Sequence, residues 1–592
     1  AGSGKTRTLT AKIAHLIRKG YDPRRILAIT FTNKAADEMK RRLVSLTGMS
    51  IDHFPWVRTY HSACLRILKE HGHLLGFSSP IQIYGDYQQQ KLLTEIVVGH
   101  LKSDKKNVRP VQAQISNAKN YGNPAAYFDQ KPWFSRIRLN DVYTLYEAAL
   151  KEGNAVDFDN ILLLTRNLLR DFPEVQKQYR AYFQFVLCDE YQDTNNINEE
   201  ITRLLLQNGN LFAVGDDWQS VYSFRMSNVD HFLSFEKKYP KAKIFRLEQN
   251  FRSADEIVRV ANHLIAHNRH KMEKECYSDL RGGFIEIHDF FSDDEEARWV
   301  ARKIRSLSKT GISLSRMAVL YRTRFCSLSF EQAFRSQGIP YQMLGGRGFF
   351  ERREILDLNC YLTAAVFPRD DAAFERIINV PKRGIGPGTV KKINALRSKK
   401  MNLQTAARKA LGEKILTPKI YEGVKSVITL LDEIRKMKPD RALQEVIRRT
   451  DYEDYMKGYS TGESDYVSRQ ENVEQLIYAA SLHESIAEYL EEAALVREDK
   501  DEEEEKSAVN LSTVHASKGL EFQVVFVAAC EEQLFPHWRS LEKQSDLEEE
   551  RRLMYVSMTR SEKYLFLSHA QMRKGQFNRK SRFIKEVEKA MA

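Results

Sequence analysis

The chain has 592 residues, of which 42% are apolar and 29% charged, with a net charge of +13. That length exceeds a single core and points to three or four domains, and the balance is that of a folded soluble protein rather than a disordered one. No apolar run approaches the roughly 18 residues of a membrane span and no leader is evident, so a cytoplasmic setting is expected. The six cysteines show no C-x-x-C spacing, which argues against a zinc site or a disulfide framework. The basic excess suits contact with a polyanion, although a solvated basic surface would look the same.

In chain order, the sequence opens on AGSGKT. Gly2, Ser3, Gly4, Lys5 and Thr6 supply the tail of the phosphate-loop pattern G-x-x-x-x-G-K-[ST]. Glycines let backbone N–H groups close round phosphates, a lysine reaches the β- and γ-phosphates, and a threonine hydroxyl is a hard ligand for Mg²⁺. A helix is predicted over residues 5–19, with its positive end toward the phosphates. Gly20 and Pro23 then turn the chain, residues 26–31 read as a buried strand, and 35–43 as the next helix. Residues 78–155 change to long helical patterns (87–98, 111–119, 141–151). Strands return at 185–188 and 211–214, each ending in acidic or small polar residues, where α/β sheets place ligands. A second α/β pattern has strands at 244–247, 284–290 and 317–321. From about 355 to 500 the chain is again mostly helical, including the turn at 382–388. The acidic run 499–505 reads as a solvated linker, followed by strands at 509–513 and 524–528 and a helix at 547–558.

The expected fold class is therefore α/β, in two domains with parallel sheets, each carrying a mostly helical insertion; that both are RecA-like P-loop motor domains is what the family resemblance of the motifs implies. The boundaries are 1–77 and 156–246 for the first motor domain, 78–155 for its insertion, 247–354 and 506–592 for the second motor domain, and 355–505 for its insertion.

The strand Phe185-Val186-Leu187-Cys188 ends in Asp189 and Glu190. In a nucleotide enzyme the first carboxylate would hold Mg²⁺ and the second would polarise the attacking water. Alone, a strand ending in an acidic turn is common; DEYQDTN (189–195) downstream of GSGKT is far more specific. Together with FTNKAADEM (31–39), TYHS (59–62), VGDDWQSVYSFR (214–225), LEQNFRS (247–253), VHASKGLEF (514–522) and EEERRLMYVSMTR (548–560), these motifs stand in the order seen in UvrD/Rep/PcrA-type superfamily 1 DNA helicases. The resemblance covers nearly the whole chain.

That resemblance implies ATP and Mg²⁺ as cofactors, with Thr6 and Asp189 holding the metal. It implies catalytic roles for Lys5, Glu190, Gln219, Arg252 and Arg560, the two arginines acting as fingers on the transferred phosphoryl group. Phe251 resembles the aromatic that stacks on adenine, Arg7 would pack from the other side, and Glu521 resembles the glutamate that accepts from the ribose hydroxyl. A single-stranded DNA track is implied at Phe31, Thr32, Asn33, Tyr60, His61, Tyr222, Phe224, Arg225, His515 and Ser517. Trp218 stands where relatives often carry a small or acidic residue. The turn RGIGPGT (383–389) resembles a helix–hairpin–helix loop for duplex contact.

The implied activity is ATP-dependent translocation 3′ to 5′ on single-stranded DNA with duplex unwinding, in repair or replication, by a monomer or weak dimer that meets junctions and repair or replication proteins. Two alternatives stand beside it. One is a DNA- or partner-binding protein with a crippled motor; the other is the motor subunit of a helicase–nuclease. The first glycine of the phosphate-loop pattern and its feeding strand would precede Ala1, so an N-terminally truncated and C-terminally shortened sequence is expected, and weak ATP binding with it.

Overall fold

The computed structural model describes residues 1–104, 107–223, 226–323, 326–344, 352–398, 401–413, 415–460, 463–495, 508–573 and 576–591. The chain divides into two compact units. One comprises residues 1–59, 178–346 and 502–592, and the other residues 60–177 and 347–501.

The first unit carries two parallel sheets. In the smaller, the strand order is Val57–Thr59, Ile26–Thr30, Phe185–Cys188, Leu211–Ala213. Ile26–Thr30 is buried along its whole length, because a parallel strand covered on both faces must be apolar throughout rather than alternating. In register, Ile29 lies opposite Cys188, and the Asp189 amide donates to the Ile29 carbonyl at 2.9 Å, so the acidic pair emerges at the carboxyl end of the sheet. The larger sheet has seven strands. Its parallel run is Tyr341–Leu344, Val509–Thr513, Met317–Tyr321, Phe522–Val527 and Ser561–Arg573. Phe284–Ser292 adds in parallel to Ser561–Arg573, and Gln576–Phe577 folds back antiparallel. The helices Asp255–Ala266, Gln544–Met558 and Arg582–Met591 pack Ile257, Leu264, Met554 and Phe583 against this sheet.

One expected strand is absent. Residues 244–247 join no ladder, and the side chains of Ile244, Phe245 and Leu247 are 39%, 80% and 42% exposed. An apolar run suggests a strand, but a strand exists only where a neighbour completes its hydrogen bonds, and none lies beside this segment among the described residues. The expected acidic linker at 499–505 lies outside the described residues.

The second unit is helical, and its core draws Ile355, Leu358, Tyr361, Phe374, Val424, Leu431 and Leu443 from several helices. The helical patterns expected in the first insertion appear as Asp86–Thr94 running into a π-helical turn at Glu95–His100, then Val108–Tyr121 and Leu139–Glu152. A buried polar node ties them together. The Asp157 carboxylate caps helix Phe158–Asp171 by accepting from the Asn160 amide at 2.8 Å, and also accepts from Lys119 Nζ at 2.6 Å and the Tyr146 hydroxyl at 3.0 Å. Two three-residue strands, Gln82–Tyr84 and Ala155–Asp157, pair in parallel here. No helix among the described residues is long and apolar enough to cross a membrane.

At the glycine turn of this unit, Gly384 has φ 77°, and added β-carbons at Gly386 and Gly388 would meet nothing within 4 Å. The Asn379 side chain already accepts from the amides of Arg383 (2.7 Å) and Ile385 (3.1 Å). Part of the turn's donor set is thus spent internally, while its glycine face stays open.

Candidate nucleotide-binding site

The opening loop leads directly into helix Lys5–Arg18, with Gly4 as a left-handed N-cap at φ 78°. Gly2 is also left-handed, and a β-carbon there would come within 2.7 Å of Asn250 Oδ1 and 2.9 Å of Arg252 Cβ. Only glycine fits both the conformation and the space. The loop is stitched to the second half of its unit: the Phe251 amide donates to the Gly2 carbonyl at 2.9 Å, and Asn250 Nδ2 to the Ala1 carbonyl at 2.9 Å.

Four expected residues of the first half converge. The Thr6 hydroxyl donates to Asp189 Oδ2 at 3.1 Å, which puts the two proposed magnesium ligands side by side. A hydroxyl and a carboxylate oxygen are the hard ligands a cation such as Mg²⁺ takes, and among the described residues no three His, Cys, Asp or Glu side chains cluster as a metal site. Burial and the adjacent Glu190 push the Asp189 carboxyl up to about 7, which marks a carboxylate short of positive charge. Burial would raise Glu190 too, but the ammonium groups of Lys518 and Lys5 outweigh it and hold that carboxyl below its usual range. Glu190 sits at φ 49° and ψ 41° and accepts from Gln192 Nε2 at 2.6 Å. Its carboxylate is thus held in one orientation beside Asp189.

Gln219 bridges the two halves. Its Nε2 donates to Asp216 Oδ2 at 2.7 Å, and its Oε1 accepts from Arg560 Nη2 at 3.2 Å. Arg560 is buried, and it also donates from Nε to the Val556 carbonyl and from Nη1 to the Leu520 carbonyl. Burial and the nearby Arg252 bring this guanidinium down to about 9. Such a group is primed to gain from an added anion. Arg252 lies across from it and donates to Glu521 Oε2 at 2.8 Å, so the glutamate expected at a ribose carries Arg252 here. Phe251 is 65% exposed, which rules out a core role and leaves a ring face open for stacking. Arg7 is exposed on the first turn of the opening helix. Lys5 Nζ lies 3.7 Å from Asp216 Oδ2.

The expected nucleic-acid residues divide. Phe31, Thr32 and Asn33 follow strand Ile26–Thr30, and the Thr32 hydroxyl caps helix Asn33–Thr47 by accepting from the Ala35 amide at 3.2 Å. Tyr222 is half-buried with Lys518 Nζ 4.7 Å from its ring centre. His515 is half-buried, whereas Ser517 is buried with its hydroxyl donating to the Val514 carbonyl at 2.8 Å. Tyr60 is buried at the start of helix Tyr60–His71, and His61 packs edge-on against Phe158. Neither Tyr60 nor Ser517 presents a surface in this structure. Phe224 and Arg225 lie outside the described residues.

Four residues that do not figure in the sequence expectations belong to this site. Lys518 donates to Asp193 Oδ2 at 2.5 Å and to the Gln219 carbonyl at 2.7 Å, while Asp216 and Lys274 pair at 2.6 Å. Asp193, Asp216 and Lys518 stand inside motifs already noted. Lys274 carries no sequence signal.

Residues 1–240 match the UvrD/REP helicase N-terminal domain, and residues 245–572 match the UvrD-like helicase C-terminal domain. Relatives similar along the whole chain include the ATP-dependent DNA helicase PcrA of Leuconostoc citreum, 36% identical over 99% of this chain and 82% of that protein. PcrA of Staphylococcus epidermidis is 36% identical over 99% of this chain and 83% of its own length. PcrA of Staphylococcus aureus is 35% identical over 100% of this chain and 84% of its own length.

Proposed function

The chain belongs to the UvrD/REP helicase family, and from that membership and the site geometry we propose that it is an ATP-dependent DNA helicase moving 3′ to 5′ on single-stranded DNA. The observation that carries the reading is the set of polar side chains that the two halves of the first unit bring together. Thr6 and Asp189 meet on one side, Arg252 and Arg560 stand on the other, and the Gln219–Arg560 hydrogen bond joins them.

Bound ATP with Mg²⁺ supplies the phosphoryl group whose transfer to water drives the motor. Each residue's part follows from its position. The backbone of Gly2, Ser3 and Gly4 with the Lys5 ammonium would hold the phosphates, and Thr6 and Asp189 the cation. Glu190, kept ionised by Lys518 and Lys5, would take the proton of the attacking water. Arg252 and Arg560 would neutralise developing charge; Arg560 is already desolvated, so it needs no reorganisation to do so. Phe251 offers its exposed face to the base, beside Glu521 and Arg7.

Gln219 links this chemistry to the nucleic-acid track. Its carbonyl accepts from Lys518 Nζ, the same ammonium that pairs with Asp193 and lies against the Tyr222 ring. A change at the phosphate thus reaches Tyr222 through one turn of chain. The four-part division, two motor domains each with a helical insertion, belongs to this reading and is supported by the two parallel sheets.

The test is strand displacement on partial duplexes with ATP and Mg²⁺. A duplex with a 3′ single-stranded tail on the loading strand is unwound and its 5′-tailed counterpart is not. Unwinding of the 5′-tailed substrate alone would reverse the polarity, and unwinding of neither would defeat the proposal.

A further inference from the structure

The turn that bears Gln219 is gripped by a segment that no sequence motif marks. Residues 271–276 follow helix Asp255–Ala266 and lie on the turn Asp216–Gln219. The Met272 amide donates to Asp217 Oδ2 at 2.7 Å. Lys274 Nζ donates to Asp216 Oδ1 and to Asp217 Oδ1, each at 2.6 Å, and sits 4.6 Å from the centre of the Trp218 ring. Trp218 in turn packs edge-on against Tyr555 with ring centres 5.5 Å apart. Asp216, Asp217 and Trp218 are 4%, 0% and 2% exposed. Two buried carboxylates and an aromatic face thus enclose one ammonium.

The two oxygens of Asp216 face different ways. Oδ1 takes Lys274 and the Trp218 amide. Oδ2 faces Gln219 Nε2 at 2.7 Å, the Ala1 nitrogen at 2.8 Å and Lys5 Nζ at 3.7 Å. Lys5 and Gln219 are the side chains a triphosphate must recruit, and both rest on the same carboxylate. How firmly Asp216 holds them depends on how much of its charge is met elsewhere, and Lys274 is the side-chain ammonium that meets it at Oδ1, beside the Ala1 nitrogen at Oδ2.

We infer that Lys274 is a positioning residue for nucleotide binding: by neutralising Asp216 it lets Lys5 and Gln219 leave that carboxylate for the phosphates. The inference rests on the ATPase reading above. It also gives Trp218 a role, as the aromatic face that holds Lys274 over the two carboxylates.

The experiment compares the wild type with K274M, K274R, D216N and K274M/D216N. It measures the Kd for a non-hydrolysable ATP analogue, and KM and kcat for ATP with saturating single-stranded DNA. K274M is expected to raise both Kd and KM about tenfold while kcat stays within about threefold, because uniform binding is lost rather than transition-state stabilisation. K274R keeps the charge and stays near the wild type. Adding D216N to K274M removes the uncompensated carboxylate and returns Kd to within about threefold of the wild type, a repair that a merely structural role would not show. An unchanged Kd in K274M, or a loss that D216N fails to repair, overturns the inference. If K274M does not fold, K274Q and K274Q/D216N take its place, and a double variant that binds the analogue no more tightly than K274Q overturns the inference. A wild type that neither binds the analogue nor hydrolyses ATP would instead defeat the ATPase reading itself.

Discussion

At Glu190 the backbone adopts the left-handed region, φ 49°, although glutamate gains nothing from it. A non-glycine residue there costs about 1–2 kcal/mol and persists where the surroundings fix it. Here they do. The Glu190 amide donates to Asp189 Oδ1 at 3.1 Å, and Gln192 holds its carboxylate, so the strain aims this carboxylate next to the pair proposed to hold the cation. Glu190→Gln should lower turnover by about 10²–10⁴-fold, the range for a lost general base. Nucleotide affinity should stay near that of the wild type, read by titration with an ATP analogue. Phe251 makes a complementary case. Its ring is exposed, so Phe251→Ala should leave the unfolding midpoint unchanged and raise the KM for ATP several-fold, consistent with about 1 kcal/mol of stacking. A fall in stability with no change in KM would return this ring to a packing role.

At the scale of elements, the Asp157 node shows how a helix start and a buried cation share one carboxylate. Asp157→Ala removes the cap of helix Phe158–Asp171 and leaves Lys119 with Glu147 as its remaining carboxylate. Loss of one partner of a buried pair costs about 3–5 kcal/mol. Chemical denaturation should show that loss, and Asp157→Asn, which keeps an acceptor for the cap, should lose less. The same scale explains what could be read from the sequence. Phe185–Cys188 and Met317–Tyr321 were legible to the residue, because a fully buried parallel strand announces itself as an unbroken apolar run. Residues 244–247 carry the same signal without forming a strand, since the pattern reports apolarity and not the presence of a neighbour. Gln82–Tyr84 and Ala155–Asp157 are too short to show a period at all. In the site, Thr6, Asp189, Glu190, Gln219, Arg252 and Arg560 were legible through motif order. Lys274 was not, because its partner Asp216 lies 58 positions away and no local pattern encodes that pairing.

At the scale of the molecule, the two parallel sheets lie in one compact unit, and the long helical segments form another. A net charge of +13 over 592 residues fits a partner that is a polyanion. Affinity for single-stranded DNA should then fall by orders of magnitude as salt rises from about 50 to about 200 mM, because bound counterions are released on association. Fluorescence anisotropy with a labelled oligonucleotide reads that slope, and a flat slope would mean that the basic surface does not contact phosphates. If the phosphate site and the nucleic-acid track work as one machine, joined through Gln219, Lys518 and Tyr222, then DNA governs ATP turnover. The measurement is the steady-state rate of ATP hydrolysis with and without single-stranded DNA. Hydrolysis should be slow for the protein alone and rise at least about tenfold when the oligonucleotide saturates it, as when substrate binding completes a catalytic set. A rate that is the same with and without DNA would contradict it.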